Sequence, residues 1–489
     1  MNPWRKNPLL YEINTWTWLA GLTARLGRPV HLGAVPDEEW DTLARLGLDA
    51  VWLMGVWERS PGGRRVALEH PDLQREYRHA LPDLRLADVV GSPYAVHRYR
   101  VDEHLGGPAG LAQAREQLAR RGLGLVLDFV PNHVAVDHPW ITEHPERFVQ
   151  GREEDLTAHP NDFFRAAGRV YAHGKDPYFP GWTDTVQLDW FEPGLRQAMA
   201  ATVADIAEMC DGVRCDMAML LLGSIFGRTW GERVRPVPPR EAWSEVIETV
   251  RAGRPSFVFL AEAYWDTEWA LQRLGFDWCY DKRLYDRLRD GHAGGVYAHL
   301  AGVQGDERGL VRFIENHDEP RVSALFDEPR HRMAAALTLT LPGAKLLHEG
   351  QMDGARVRLP VQLGRRPEEP ANPELHRFYE ALLGEVAHPV YHDGDFVLCH
   401  RWQRGGTEEH LLGWGWSLGD ERRLIVVNLA PERSQGHVRV PWPELAGRTV
   451  QLSDLITGER YQRDGGEMTG PGLYVSLGGY GVHVFRVQI

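Results

Sequence analysis

Residues Pro193–Met209, PGLRQAMAATVADIAEM, lead through Cys210 and Asp211 into Gly212-Val213-Arg214-Cys215-Asp216, and this stretch sets the architecture. Leu195, Met199, Val203 and Ile206 recur at three- and four-residue steps, the spacing of a helix with one apolar face. The short run after it reads as a buried strand that ends on a carboxylate. The same pairing repeats in both directions along the chain. Toward the N-terminus lie a strand over Leu9–Asn14, a helix near 37–46 opened by Pro36-Asp37, a strand over Ala50–Met54, a helix over 110–121 and a strand over 125–130. Toward the C-terminus, helix and strand alternate as 241–251 and 257–261, 269–274 and 276–279, 296–303 and 311–314, and 331–341 and 344–347. Eight strands, each followed by a helical candidate, imply a parallel sheet closed into an α/β (β/α)8 TIM barrel. An open doubly wound sheet is the structural alternative, but no glycine-rich phosphate loop follows the first strand.

The barrel is expected within residues 1–386, ending on a helix over Pro373–Val386. A segment rich in His, Pro, Asp and aromatics, 134–189, follows the third strand and is too long for an ordinary barrel loop. It reads as a small irregular insertion over the C-terminal face. Beyond it the pattern changes, with strands near 424–428, 437–440, 449–452 and 482–487 separated by Gly, Pro and Asp turns. Residues 387–489 therefore read as a C-terminal antiparallel β-sandwich domain.

The chain has 489 residues, 43% hydrophobic and 25% charged, with a formal net charge of −13. No stretch gathers Lys or Arg into a stripe, which argues against nucleic acid or an anionic membrane as partner. Four scattered cysteines, Cys210, Cys215, Cys279 and Cys399, form neither a disulfide framework nor a zinc cluster. The segment Met1-Asn2-Pro3-Trp4-Arg5-Lys6 runs straight into the first strand without a signal-peptide pattern, so a cytoplasmic protein is expected.

Four short runs end on chemistry. They are Leu125-Val126-Leu127-Asp128-Phe129-Val130-Pro131-Asn132-His133, then Gly212 to Asp216, then Phe259-Leu260-Ala261-Glu262-Ala263-Tyr264-Trp265, and finally Phe313-Ile314-Glu315-Asn316-His317-Asp318. A barrel of this kind gathers groups from the C-terminal ends of its strands. Cleaving a glycosidic bond with retention takes one carboxylate to attack carbon and a second, about 5 Å away, to protonate the leaving oxygen. Neighbouring parallel strands are spaced about 4.8 Å apart, so Asp216 and Glu262 suit that pair. Arg214, two residues from Asp216, points the same way and is expected to keep it ionised. Leu260, Ala263 and Tyr264 are expected to give Glu262 an apolar setting that raises its pKa. Asp318 is a third carboxylate for the sugar hydroxyls, with His133 and His317 as neutral donors nearby. Trp57, Trp230 and Trp265, just past strand ends, are candidates to stack on sugar rings.

In this order, the four runs resemble the four signature regions of the α-amylase family of glycoside hydrolases and transglycosidases. The resemblance extends from Tyr11 through His348, and a C-terminal sandwich is usual in that family. It implies Asp216 as catalytic nucleophile, Glu262 as general acid/base and Asp318 as transition-state stabiliser. Arg214, His133, His317 and Asp128 match its support residues, and Tyr94, in Gly91-Ser92-Pro93-Tyr94-Ala95, matches its aromatic platform beneath the sugar. Trp265 joins them as a substrate-binding candidate. The implied substrate is a small oligosaccharide or α-glucan, processed by hydrolysis or transfer. A trehalose- or sucrose-type transglycosidase or isomerase is the enzymatic alternative; a non-catalytic carbohydrate-binding relative would normally have lost a carboxylate.

Two departures narrow the resemblance. Ala95 replaces the aspartate common in members that trim single terminal glucoses. Met217-Ala218-Met219-Leu220-Leu221-Leu222 replaces a polar Lys-His run common in starch-cleaving amylases. Asn132 and Asp189 match positions that hold calcium in many members, but calcium takes about six to eight oxygen ligands and few others are in view. No cofactor is expected to be required, and calcium is not favoured. The paired histidines of a strand-one metal site are absent from 11–15, which argues against an unrelated metal-dependent barrel hydrolase. The sequence leaves the oligomeric state open.

Overall fold

A computed structural model describes residues 4–302, 307–401 and 407–489. Residues 1–3 and Val303, the last residue of one expected helix, lie outside them. The strands β1 (Leu9–Asn14), β2 (Ala50–Met54), β3 (Gly124–Phe129), β4 (Gly212–Cys215), β5 (Val258–Ala261), β6 (Trp278–Tyr280), β7 (Leu310–Arg312) and β8 (Ala344–His348) close into a parallel barrel in chain order, β8 pairing with β1. Side chains alternate between its two faces. Ala50, Trp52 and Met54 of β2 fill the interior with Leu10, Val126, Val258, Leu260 and Leu346. Val51 and Leu53 point outward with Leu125, Leu127, Val213 and Phe259 into the layer beneath the helices.

Strands β6 and β7 sit one to two residues from where the apolar pattern put them. Phe276 and Ile314 are buried, but in the connections, so burial extends beyond the paired ladder. The helix Thr15–Leu26, capped by Asn14, was not legible because Thr15-Trp16-Thr17-Trp18 has strand-like composition. Also unanticipated are a strand pair (Trp57–Arg59 with Val96–Val101) and two helices, Pro61–Glu69 and Pro71–Ala80, in the link from β2 to β3.

After β3 the chain makes an antiparallel pair of His133–Ala135 with Thr185–Gln187, and between them a hairpin of Phe163–Ala166 with Arg169–Ala172. The C-terminal region forms a six-stranded and a three-stranded sheet. Leu424 and Val426 face the three-stranded sheet, while their neighbours Ile425 and Val427 join the barrel's outer core. In Leu411–Leu418 the tryptophans Trp414 and Trp416 point to the barrel, and Trp416 donates its indole N–H to the Thr340 carbonyl at 2.7 Å. Gly413 and Gly415 occupy the other face, where an added Cβ would fall 2.6 Å from Val438 and 2.8 Å from Trp442. The glycines let the two sheets close. Among the described residues no helix is long and apolar enough to cross a membrane, and all four cysteines are buried free thiols.

Candidate active site

Arg214 is in register with Asp128 on β3 and with Leu260 on β5. Alternation then sends Asp128, Arg214, Asp216 and Glu262 to the barrel interior. The ladder runs one residue past each strand: Asp216 N–H donates to the Phe129 carbonyl at 2.9 Å and Glu262 N–H to the Cys215 carbonyl at 3.0 Å. Asp216 and Glu262 thus stand opposite each other on adjacent strands, with backbones about 4.8 Å apart.

One guanidinium ties them together. Arg214 is wholly buried; Nη1 donates to Asp216 Oδ1 at 2.7 Å. Nη2 lies 2.8 Å from Glu262 Oε2, an ion contact along which its N–H is not aimed. Asp128 is 4.0 Å away, and Trp52 and Tyr94 present rings 5.2 and 5.5 Å from the guanidinium carbon. These cation–π contacts help to hold a buried charge. Glu262 accepts from the Met217 N–H and the Tyr264 hydroxyl, both at 2.7 Å.

This arrangement departs from one expectation about charge and one about setting. Burial, and next the Glu262 carboxylate, push Asp216 up to about 8 against the opposing pull of Arg214. Glu262 lacks the purely apolar setting foreseen for it, because Tyr264 turns its hydroxyl, not its ring alone, toward the carboxylate. A second carboxylate on the same cation disfavours the charged form of Asp216. Asp128 is likewise raised, to about 6, by burial against the pull of Arg214.

His317 and Asp318 lie beyond the end of β7, not at it. Their loop is braced by Asn316, whose Oδ1 accepts from the N–H groups of Asp318 and Glu319 at 3.0 Å, and by the buried Glu315–Arg321 pair at 2.6 Å. His317 Nδ1 meets Glu12 Oε1 at 2.5 Å, and its Nε2 faces the Tyr94 hydroxyl at 2.7 Å and Asp318 Oδ2 at 2.9 Å. Burial disfavours its charge, but Asp318 and Glu12 outweigh burial and raise it well above the usual histidine value. The two carboxylates flanking His317 thus favour its charged form over the neutral donor expected. Desolvation pushes the Asp318 carboxyl up although its side chain is 48% exposed, but the adjoining His317 outweighs this and draws it down to about 2.

The other candidates divide. Tyr94 stacks on His317, ring centroids 5.4 Å apart, at the inner edge of the cleft. His133 is buried beside Trp182, and burial holds it down at about 4 and neutral. Trp265, in a left-handed backbone conformation (φ 58°), is partly exposed and meets Tyr178 of the insertion edge-on at 5.0 Å. Trp57 and Trp230 are buried core residues, not stacking platforms; the Trp57 indole donates to the Asp128 carbonyl at 2.8 Å.

The residues matched to calcium make hydrogen bonds within the protein. The Asn132 side chain is spent on Gln187, accepting at 3.0 Å and donating at 3.2 Å. Asp189 Oδ1 accepts from the Phe191 N–H at 3.0 Å, and burial raises this carboxyl to about 6. Among the described residues no group of three or more His, Cys, Asp or Glu is placed to hold a metal. Glu12 and Trp52, inward-facing register partners on β1 and β2, were missed. The available signal was the inward carboxylate itself, two residues from Leu10 on a strand whose inner face should be apolar.

No family model matches the chain. It is similar to α-amylase MalA of Haloarcula japonica, 25% identical over 473 residues, which is 93% of this chain and 59% of that one. The α-1,4-glucan:maltose-1-phosphate maltosyltransferase of Rhodospirillum rubrum is 23% identical over 406 residues, 77% of this chain and 54% of its own. The chain thus spans less than two thirds of the length of these curated relatives. Among solved structures, maltogenic α-amylase AmyB of Thermotoga neapolitana shares the fold across the full length of both chains, with a TM-score of 0.72 at 19% identity.

Proposed function

We propose that the chain is a member of the α-amylase family, a reading its similarity to α-amylase MalA and its shared fold support, and that it is a retaining enzyme acting on α-linked glucosides or short α-glucans by hydrolysis or glucosyl transfer. The observation that carries this reading is the pairing of Asp216 with Glu262 across adjacent strands with Arg214 between them. Asp216 attacks the anomeric carbon from the β face as the bond to the leaving oxygen breaks, and Glu262 delivers its proton to that oxygen. The result is a β-linked glucosyl ester of Asp216. Glu262, now ionised, takes a proton from water or from a sugar hydroxyl, whose oxygen displaces Asp216 and restores the α configuration. Asp318 and Asp128 hold the sugar hydroxyls, and Tyr94 lies under the ring.

Hydrolysis and transfer share this intermediate. Transfer is favoured by an apolar acceptor side, where Ala218–Leu221 is buried and the exposed Trp265, three residues after Glu262, meets the exposed Tyr178 edge-on. We propose further that no calcium is needed, since Asn132 and Asp189 are already committed within the protein.

One assay addresses both points. Maltodextrins and a panel of α-linked disaccharides are incubated with the enzyme in excess EDTA, with and without an added acceptor sugar, and products are separated by chromatography. Turnover of at least one α-glucoside in EDTA is expected, with acceptor-dependent products where transfer competes with water. Absence of turnover on every α-linked substrate contradicts the functional reading. Activity lost in EDTA and restored by calcium contradicts only the metal-free one.

A further inference from the structure

Glu12 is used by none of the steps above, yet it is a fully buried carboxylate at the centre of the barrel mouth. It faces inward from β1, in register with Trp52 on one side and His348 on the other. Its Oε1 rests on His317 Nδ1 at 2.5 Å, and its Oε2 has no hydrogen-bond partner among the described residues. A buried carboxylate left half-satisfied is costly, so its one strong contact matters.

The histidine end completes the geometry. A neutral imidazole donates from one nitrogen and accepts at the other. His317 has a carboxylate oxygen against each: Glu12 at Nδ1 and Asp318 at Nε2. Ionised carboxylates accept only, so both carboxylate contacts are met only when both nitrogens carry protons; on a neutral ring the Tyr94 hydroxyl can donate to Nε2, but the Asp318 contact goes unmet.

We propose that Glu12 is a positioning residue that fixes His317 as an imidazolium, so that its Nε2–H is a charged donor aimed into the cleft toward the donor sugar. The assignment rests on the functional reading above for its consequence, but not for its geometry. Asp318 and the Tyr94 hydroxyl both lie against that Nε2, at 2.9 and 2.7 Å. When a sugar enters, Asp318 turns to its hydroxyls and the imidazolium takes an oxygen of the ring substituents. Hydrogen bonds from charged donors contribute more than neutral ones.

Other charges around the pair are accounted for. Asp318 favours the cation from the loop after β7, and Asp128 does so more weakly from β3. Arg214 on β4 and His348 on β8 face Glu12 and favour its ionised form. Tyr94 contributes a neutral hydroxyl and Trp52 an edge-on ring 5.6 Å from the imidazole. Burial acts against charge on both partners, and the mutual contact overcomes it: Glu12 is lowered and His317 raised.

The test is nitrogen-15 NMR of histidine-labelled protein, with the His317 signals assigned by their loss in His317→Gln. In the unaltered enzyme both ring nitrogens should stay protonated across about pH 5 to 8, the range in which an unperturbed histidine loses its proton. In Glu12→Gln, which keeps the shape and removes the charge, His317 should titrate within that range, and Glu12→Asp should restore part of the effect. If the functional reading also holds, kcat/KM of Glu12→Gln falls roughly tenfold more at the alkaline end than at the acid end. A His317 that titrates normally in the unaltered enzyme overturns the proposal even if Glu12→Gln fails to fold. A charged His317 unchanged by Glu12→Gln overturns it as well. The NMR result stands whether or not a glucoside is turned over, so failure of the functional reading is read separately.

Discussion

Asp216→Asn lowers kcat on an α-glucoside by at least about 10⁴-fold, because an amide cannot form the covalent ester and no neighbouring group replaces it. Glu262 is held on the far side of Arg214 by Met217 and Tyr264, and Asp128 is held by the Gly55 N–H at 3.1 Å. The fold should not suffer. Burial and Glu262 already work against charge at position 216, so a neutral isostere relieves repulsion and the melting temperature should be unchanged or higher. Steady-state kinetics and thermal unfolding check the two halves together. A loss of only a few-fold would place the nucleophile elsewhere, whereas a falling melting temperature would mean that the Arg214 pairing dominates the local energetics.

Glu262→Gln should reduce kcat by about 10² to 10⁴ on a disaccharide, whose leaving oxygen needs a proton, and far less on a glucosyl fluoride or activated aryl glucoside. Equal losses on both substrate types would argue against an acid role. A pH signature accompanies this. Burial and then the Glu262 carboxylate push Asp216 up to about 8, and a carboxylate pair of this kind works in its singly protonated form. In the unaltered enzyme kcat/KM is therefore present below that pH and lost as pH rises through about 8. In Glu262→Gln the proton that matters is gone and so is the neighbouring charge that raised Asp216, so the alkaline fall should vanish. The pH–rate profiles of both proteins decide the point.

The barrel was legible because its eight strands carry an inward/outward alternation or a fully apolar run that local pattern can find. The helices Pro193–Met209 and Pro373–Val386 were found at their observed bounds because Pro opens each and apolar steps run through each. What failed was local composition set against tertiary context. Thr15-Trp16-Thr17-Trp18 reads as strand yet forms a helix under the cap of Asn14. Asp128, Arg214, Asp216 and Glu262 could be brought together from strand order and alternation alone. Their charges could not, because ionisation depends on which groups share Arg214 in three dimensions. His317 is the sharpest case. It reads as a neutral donor until Glu12, over 300 residues away in sequence, is seen against its other nitrogen.

The central claim is a covalent intermediate between two carboxylates on adjacent strands, and stereochemistry tests it most directly. Adjacent strands leave no room for a water between Asp216 and the sugar, whereas an inverting pair would stand about 6.5–9.5 Å apart. Proton NMR of the anomeric region in the first minutes of reaction, before mutarotation, should show the α-anomer of the released sugar appearing first. The β-anomer appearing first from an α-glucoside would contradict the double displacement and the assignment of Asp216.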